Sequence, residues 1–344
     1  MRRVLALLVL VAVASLIVGC APQAGSLAPQ KTQQPVVLRY GDCETGEALE
    51  PAKKMVQRFS QRTGGSYTIE LHHVSELCEV PEILDAVRTG AVEMCYMPLG
   101  VFTTVEPRFI SSELPLLFNS MEAAVQALDK LIPLWSEIME QRFNQKMVAG
   151  WIVPPLEVVL AKKPIRKLED WRGKVIQSIS PSISDTISIL GGSPVALPWT
   201  EAYSSLQKGV VDGAVASTMQ VVLYNLNDVA KYVSCSYLFL APNVVTINLD
   251  VWNSMPSDIQ KILLEEWQTT SRERNEYFIR KAKENLDTMR ERGMEVILLD
   301  KAERDRYVQA VKPYVDKAIA DMGDFGQKVK QIADEVNAKY AYPY

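Results

Sequence analysis

From Pro256 to Arg292 the chain contains no glycine and no further proline. Nothing in the backbone interrupts a helix there, and Ile259, Leu263, Trp267, Phe278, Ala282 and Leu286 recur at spacings that put an apolar stripe on one side. Ser254 precedes the run as a cap and Gly293 ends it. At ~1.5 Å per residue the helix would reach ~55 Å, more than one lobe is wide. Such a helix either kinks on one body or lies straight across two. The expectation is a brace across two lobes.

The rest of the chain supplies two such bodies. Strand patterns at 36–41, 67–74 and 92–97 alternate with helical patterns at 47–62 and 80–89, which stop at Gly64-Gly65 and Gly90. That β-α-β-α-β order implies a parallel sheet with helices on its faces. A helix over 121–143 and a strand over 146–153 follow. A second set has strands at 158–161 and 174–179, a helix at 182–190 ended by Gly191-Gly192, and a helix at 200–208 stopped by Gly209. A strand begins at Val210-Val211, and Ser217 is placed to cap the next helix. After a strand at 244–249 and the long helix come a strand at 294–298 and helices at 301–321 and 324–339. The fold class is α/β. Lobe I takes 36–152 plus about 243–285, and lobe II takes 153–242 plus about 286–344.

The N-terminus points to a location. Arg2 and Arg3 precede an apolar run from Val4 to Val18 broken only by Ser15, too short for a comfortable membrane span and suited to a signal-peptide core over 1–19. The run ends in Ile17-Val18-Gly19-Cys20, which resembles a bacterial lipobox with Cys20 as the lipidated residue. Residues 20–35 are polar, contain proline and read as a flexible tether. The expected product is extracytoplasmic and lipid-anchored to a membrane. With 37 basic against 41 acidic residues, no charge excess suggests nucleic acid as a partner.

Catalytic equipment is not evident. His72 and His73 are adjacent in a strand, point to opposite faces and cannot jointly chelate one metal; both are assigned to the strand surface. No GxSxG elbow, GxGxxG turn or P-loop occurs. The cysteine spacings do not fit a zinc site, and no cofactor is expected. Cys43 and Cys78 fall just past neighbouring strand ends and are candidate disulfide partners. Cys95 and Cys235 lie in apolar strand patterns and read as buried thiols.

The stretch from Lys167 to Ser217 carries a family likeness. Leu168-Glu169-Asp170-Trp171-Arg172-Gly173-Lys174-Val175-Ile176 resembles "dlkGkkiR". Leu190-Gly191-Gly192-Ser193-Pro194-Val195 resembles "lGa-pv", and Glu201 to Gly213, "EAYSSLQKGVVDG", resembles "evY-aLq-GvvDG". Upstream, Ser75-Glu76-Leu77, Val87 to Met94 and Leu114-Pro115-Leu116-Leu117-Phe118 resemble "sqlG", "vr-GaiDm" and "lPflf". The pattern is similar to that of the DctP-type solute-binding proteins of TRAP (tripartite, ATP-independent periplasmic) transporters, over about residues 36–320. The resemblance implies a two-lobed periplasmic-binding-protein fold, type II-like, with crossover strands as a hinge and a long bracing helix. It also implies a receptor, not an enzyme, that closes on a small solute and delivers it to a TRAP-type membrane permease driven by an ion gradient.

The chain departs from that family at an informative place. Members usually end "kkiR" in an arginine that grips a ligand carboxylate in a bidentate pair. Gln177 stands there instead. Glu157 falls near a second position that is often basic, and Ala216 replaces a polar Asn. One reading is a cleft for a neutral or amine-bearing solute with Gln177 as hydrogen-bonder. Another is an organic acid met by other groups, such as Arg108 or backbone amides. A secreted hydrolase or lyase using cleft glutamates is the rival from another class, and a sensor module is a third. Ligands of open α/β sheets sit beyond the carboxyl ends of strands. Strand ends give Cys43, Glu44, Glu76, Met97, Trp151 and Gln177 as ligand-binding candidates, Ser217 and Met219 follow the last strand of the second lobe, Tyr237 sits near the return crossing, and the resemblance adds Glu157.

Overall fold

The computed structural model describes residues 34–344. Cys20, the signal segment and nearly all of the tether lie outside them. The chain opens with β1 (Val36–Asp42), α1 (Glu50–Arg62), β2 (Tyr67–His73), α2 (Ile83–Arg88) and β3 (Met94–Pro98). Gly64, Gly65 and Gly90 take the positive φ that turns the chain after α1 and α2. Then α3 (Met121–Phe143) runs into β4 (Gln145–Ile152), with Ser120 capping α3 by accepting the Ala123 N–H.

The second half begins with β5 (Leu156–Leu160), β6 (Val175–Ser178), α4 (Pro181–Leu190), β7 (Ser193–Ala196), α5 (Ala202–Lys208), β8 (Gly213–Ser217), α6 (Thr218–Leu223) and β9 (Tyr232–Phe239). The chain returns through β10 (Pro242–Asn248) and α7 (Leu249–Ser254) to α8 (Ser257–Glu291). It ends with β11 (Glu295–Leu298), α9 (Lys301–Asp321) and α10 (Gly323–Asn337).

Two sheets result. The first has the order β2-β1-β3-β10-β4, with β1 parallel to β2 and β3, and β10 antiparallel to its neighbours. The second has the order β11-β9-β5-β8-β6-β7. The chain passes between them three times, from β4 to β5, from β9 back to β10, and from β10 through α7 and α8 to β11. This is the expected two-lobed architecture with crossing strands.

The long helix is single and continuous. Near its start, Glu266 accepts from Arg58 Nε at 2.6 Å and Arg62 Nη1 at 2.9 Å, which ties α8 to α1. Near its end, Arg292 Nη1 donates to Val222 O at 2.9 Å, in the last turn of α6, and to Asn225 Oδ1 at 3.0 Å, just beyond that helix. Its stripe changes core along the way: Leu263, Trp267 and Phe278 pack in the first lobe, Leu286 and Met289 in the second.

The assignment of everything after about 286 to lobe II fails for α10. Val329, Ile332 and Val336 belong to the first-lobe core. Asn337 Oδ1 accepts the Asn119 N–H at 2.9 Å, ahead of α3. An amphipathic helix goes to the apolar surface it can cover, and α3 offers one on its outer side. Among the described residues no helix is long and apolar enough to cross a membrane.

Candidate functional site

Between the lobes lies a cavity of about 360 Å³. The first lobe contributes Cys43, Glu44 and Thr45 beyond β1, His73 at the end of β2, and Tyr96 and Pro98 of β3. The second contributes Leu156, Ile179, Ser180, Ser217, Met219 and Tyr224. The crossings supply Val153, Pro154 and Asn243, and α8 supplies Phe278. Brace and hinge thus both reach the cavity, so its shape depends on how the lobes are set.

Two carboxyl groups line it, and no lysine or arginine does. Glu44 is 7% exposed. Its Oε1 accepts the Trp151 Nε1–H at 3.1 Å and faces the Cys43 thiol at 3.7 Å. Burial pushes its pKa from 4.5 up to about 7; the nearby Arg274 guanidinium opposes that rise and Asp42 adds to it. Arg274 itself is fully buried in an ion pair with Asp42, and its guanidinium lies 4.1 Å over the Trp151 ring. Asp42 compensates that positive charge, and Arg274 does not line the cavity.

Glu113 is also 7% exposed, and burial raises its pKa to about 7, opposed only by the hydrogen bond from Ser180. Ser180 Oγ donates to Glu113 Oε2 at 2.6 Å. A Cβ on Gly100 would fall 2.9 Å from Glu113 Oε1, so only glycine lets this carboxyl group lie so close to the backbone. The rest of the wall mixes aromatic and apolar side chains, Tyr96, Tyr224, Phe278, Met219 and Leu223, with the polar Thr45, His73, Ser217, Gln220 and Asn243.

Of the ten candidates read from the sequence, Cys43, Glu44, Ser217 and Met219 line the cavity and six do not. Met97 is wholly buried in the core, and its neighbour Tyr96 faces the cavity. Trp151 is likewise buried; it reaches the site through its hydrogen bond to Glu44 and its strand pairing with Asn243. Glu76 pairs with His72 at 3.2 Å on the outer surface. Glu157 points away from the cleft: Oε2 accepts the Ser236 N–H at 2.9 Å and Oε1 the Tyr237 N–H at 2.8 Å, where β9 bulges against β5. Tyr237 is held in a left-handed turn at φ 54° and stacks on Tyr344.

Gln177 is buried as well. Its Nε2 donates to Pro198 O at 2.8 Å and Leu197 O at 3.3 Å, and its Oε1 accepts from Ser205 Oγ at 3.3 Å. The amide holds the turn before α5. Arg108 offers no substitute anchor, since its Nε and Nη2 bond Glu106 at 2.7 and 2.9 Å.

Sequence reasoning missed His73, Tyr96, Glu113, Asn243 and Phe278. Tyr96 was one residue from a candidate, and His73 was given to the strand surface although it ends a strand. Nothing in the sequence marks Glu113. The expected Cys43–Cys78 pairing is absent, and both residues are free thiols. Cys43 Sγ instead accepts from Asn243 Nδ2 at 3.4 Å. Among the described residues no group of three or more His, Cys, Asp or Glu is arranged to hold a metal ion.

Comparison with known proteins agrees with this geometry. The family model described as bacterial extracellular solute-binding protein, family 7, matches residues 45–321. The 2,3-diketo-L-gulonate-binding periplasmic protein of Escherichia coli is 24% identical over 304 residues, covering 88% of this chain and 90% of that protein. A TRAP periplasmic solute-binding protein from Ochrobactrum anthropi superposes with a TM-score of 0.82 at 23% identity, covering 89% of this chain and 97% of that one. One from Anaerococcus prevotii, solved with bound D-glucuronate, gives 0.79 at 20% identity, covering 89% and 99%. With the family model matching most of its length, the chain belongs to the bacterial extracellular solute-binding proteins of family 7, receptors that bind solutes and are not enzymes.

Proposed function

We propose that this receptor captures a small neutral or amine-bearing solute between its lobes and hands it to a TRAP-type permease. One observation carries the choice of solute: two buried carboxyl groups and three aromatic rings face the cavity, and no lysine or arginine does. A carboxylate ligand there would meet repulsion from Glu44 and Glu113 with no guanidinium to pair with. An ammonium group would gain both charges and the faces of Tyr96, Tyr224 and Phe278. Closure follows if the solute touches both lobes only when they are shut, since binding then shifts the population to the closed form.

The test is calorimetry against matched alcohols, amines and carboxylates of the same carbon skeleton. Amines and alcohols are expected to bind and to raise the melting temperature. Tight binding of simple organic acids, the class printed in the names of the relatives, would overturn the choice of solute and leave the receptor reading intact.

Location completes the proposal. Ile17-Val18-Gly19-Cys20 supports anchoring through a lipid on Cys20. Cys20→Ala is expected to move the protein from the membrane fraction to the soluble extracytoplasmic fraction, and unchanged lipid labelling would refute the anchor.

A further inference from the structure

We propose that the solute carries a short apolar tail, alkyl or aromatic, which lies at the mouth of the cavity against Ile179, Leu223 and Tyr224 of the second lobe and Val101 of the first. The tail rests on the function proposed above, which supplies the polar head that orients it. Of the large apolar side chains exposed among the described residues, four line this one cavity: Val101 at 46%, Ile179 at 39%, Leu223 at 54% and Tyr224 at 51%. Single exposed apolar residues are ordinary, whereas a group of them around one opening marks a surface that something covers. The carboxyl groups of Glu44 and Glu113 and the hydroxyl of Ser217 are buried parts of the same wall. A solute whose head reaches them leaves its other end among the rim residues.

Glu113 joins the two parts. A Cβ on Gly100 would fall 2.9 Å from its Oε1, and its Oε2 accepts the Ser180 hydrogen bond at 2.6 Å. Val101 follows Gly100 and Ile179 precedes Ser180, so these two apolar residues flank the carboxyl group from opposite lobes. The first-lobe rim also exposes Thr45 and His73, whereas the exposed second-lobe residues of the wall are Ile179, Leu223 and Tyr224. The tail is therefore placed on the second-lobe side.

That side is held in place. The Tyr224 ring meets Trp199 edge to face with centroids 5.4 Å apart. Trp199 follows the turn whose Pro198 and Leu197 carbonyls accept from the Gln177 amide. Val222, just ahead of Leu223, is fixed through its carbonyl to Arg292 past the end of α8. At about 360 Å³ the cavity is at the small end of the ~300–1,000 Å³ usual for small-molecule sites, so the tail is short. Covering the rim removes apolar surface from water as the lobes shut. A polyhydroxylated solute would instead press hydroxyls against side chains that cannot bond them.

The experiment is calorimetry of the full chain with three matched series, n-alkylamines, n-alkanols and n-alkanoates, each from ethyl to hexyl. In a series that binds, affinity should rise about fourfold for each methylene the rim covers, from ~0.8 kcal/mol per buried CH₂ and ~1.36 kcal/mol per tenfold. Leu223→Asn should reduce the ratio of hexyl to ethyl affinity. Val210→Asn, similarly exposed at 57% but away from the cavity, should leave that ratio as in the wild type. If the rim only seals one lobe against the other, Leu223→Asn would weaken every member by one factor and keep the ratio, which would overturn the proposal. So would a flat dependence on chain length, or binding in none of the three series. A gain confined to the alkanoates would support the tail and refute the head group proposed above. Amines or alcohols that bind without a gain would do the reverse.

Discussion

Glu44 is pulled in two directions. Burial and Asp42 favour its neutral form; Arg274, the Trp151 N–H and the Cys43 thiol favour its charge, and the balance falls at about 7 against an ordinary 4.5. Glu113, opposed by the Ser180 hydrogen bond, falls at about 7 as well. In the empty receptor, the folded state therefore holds more protons than the unfolded chain between these values. The stability these groups contribute is full below about 4.5 and is lost as pH rises towards 7. Binding of an ammonium solute runs the other way, because it selects the ionised carboxyl groups. Affinity should fall as pH drops through 7, by at most about tenfold per unit for each group. Glu44→Gln removes one of the two charges. It should weaken an amine at about pH 8 and flatten the profile measured by calorimetry down to about pH 5. An affinity that improves on acidification would contradict the role of these carboxylates.

At the scale of elements, helices and their ends were legible and strand faces were not. The long helix was read as Pro256 to Arg292 and spans Ser257–Glu291, because it lacks breakers and its stripe keeps a helical period. The helix at 121–143 matches α3 in both bounds. Strands fail differently. Every residue of β5, β8 and β9 except Tyr232 is buried, so no polar alternation reveals which side faces the cleft. With a period of two, an error of one residue reverses the face. Met97, a candidate as a strand end, lies one such step from Tyr96, and Glu157, placed by the family resemblance, lies one step from Leu156; Tyr96 and Leu156 are the residues that line the cavity. β9 has no alternation and shows in the sequence only as the apolar pattern around Cys235, and β7 contains Pro194. Gln177 marks a further limit. The departure from the family pattern is in the sequence, but the carbonyls that take up its amide belong to a turn twenty residues on, and no local pattern reveals them.

For the whole molecule, the question is what couples two lobes beyond the strand crossings β4–β5 and β9–β10. The C-terminus forms one tie: α10 packs on the first lobe, and the tail then returns to the second. There Tyr342 Oη donates to Leu299 O at 2.7 Å, and the Tyr344 ring stacks 5.5 Å from Tyr237, beside the return crossing. The brace forms the other tie, and Ala282 sits where its stripe passes from one core to the next. A proline there would remove the Ala282 N–H and clash with the Phe278 carbonyl, at a cost of ~3 kcal/mol or more. Phe278 lines the cavity, so the break would fall beneath the solute site. If α8 is a shared element, Ala282→Pro should loosen both lobes together and weaken solute binding. Hydrogen exchange can separate the two, with β1 amides reporting on the first sheet and β8 amides on the second. Both sets should exchange faster. Acceleration confined to β1, with β8 protected as in the wild type, would mean that the helix serves the first lobe alone and that the crossings and the C-terminal tail carry the coupling.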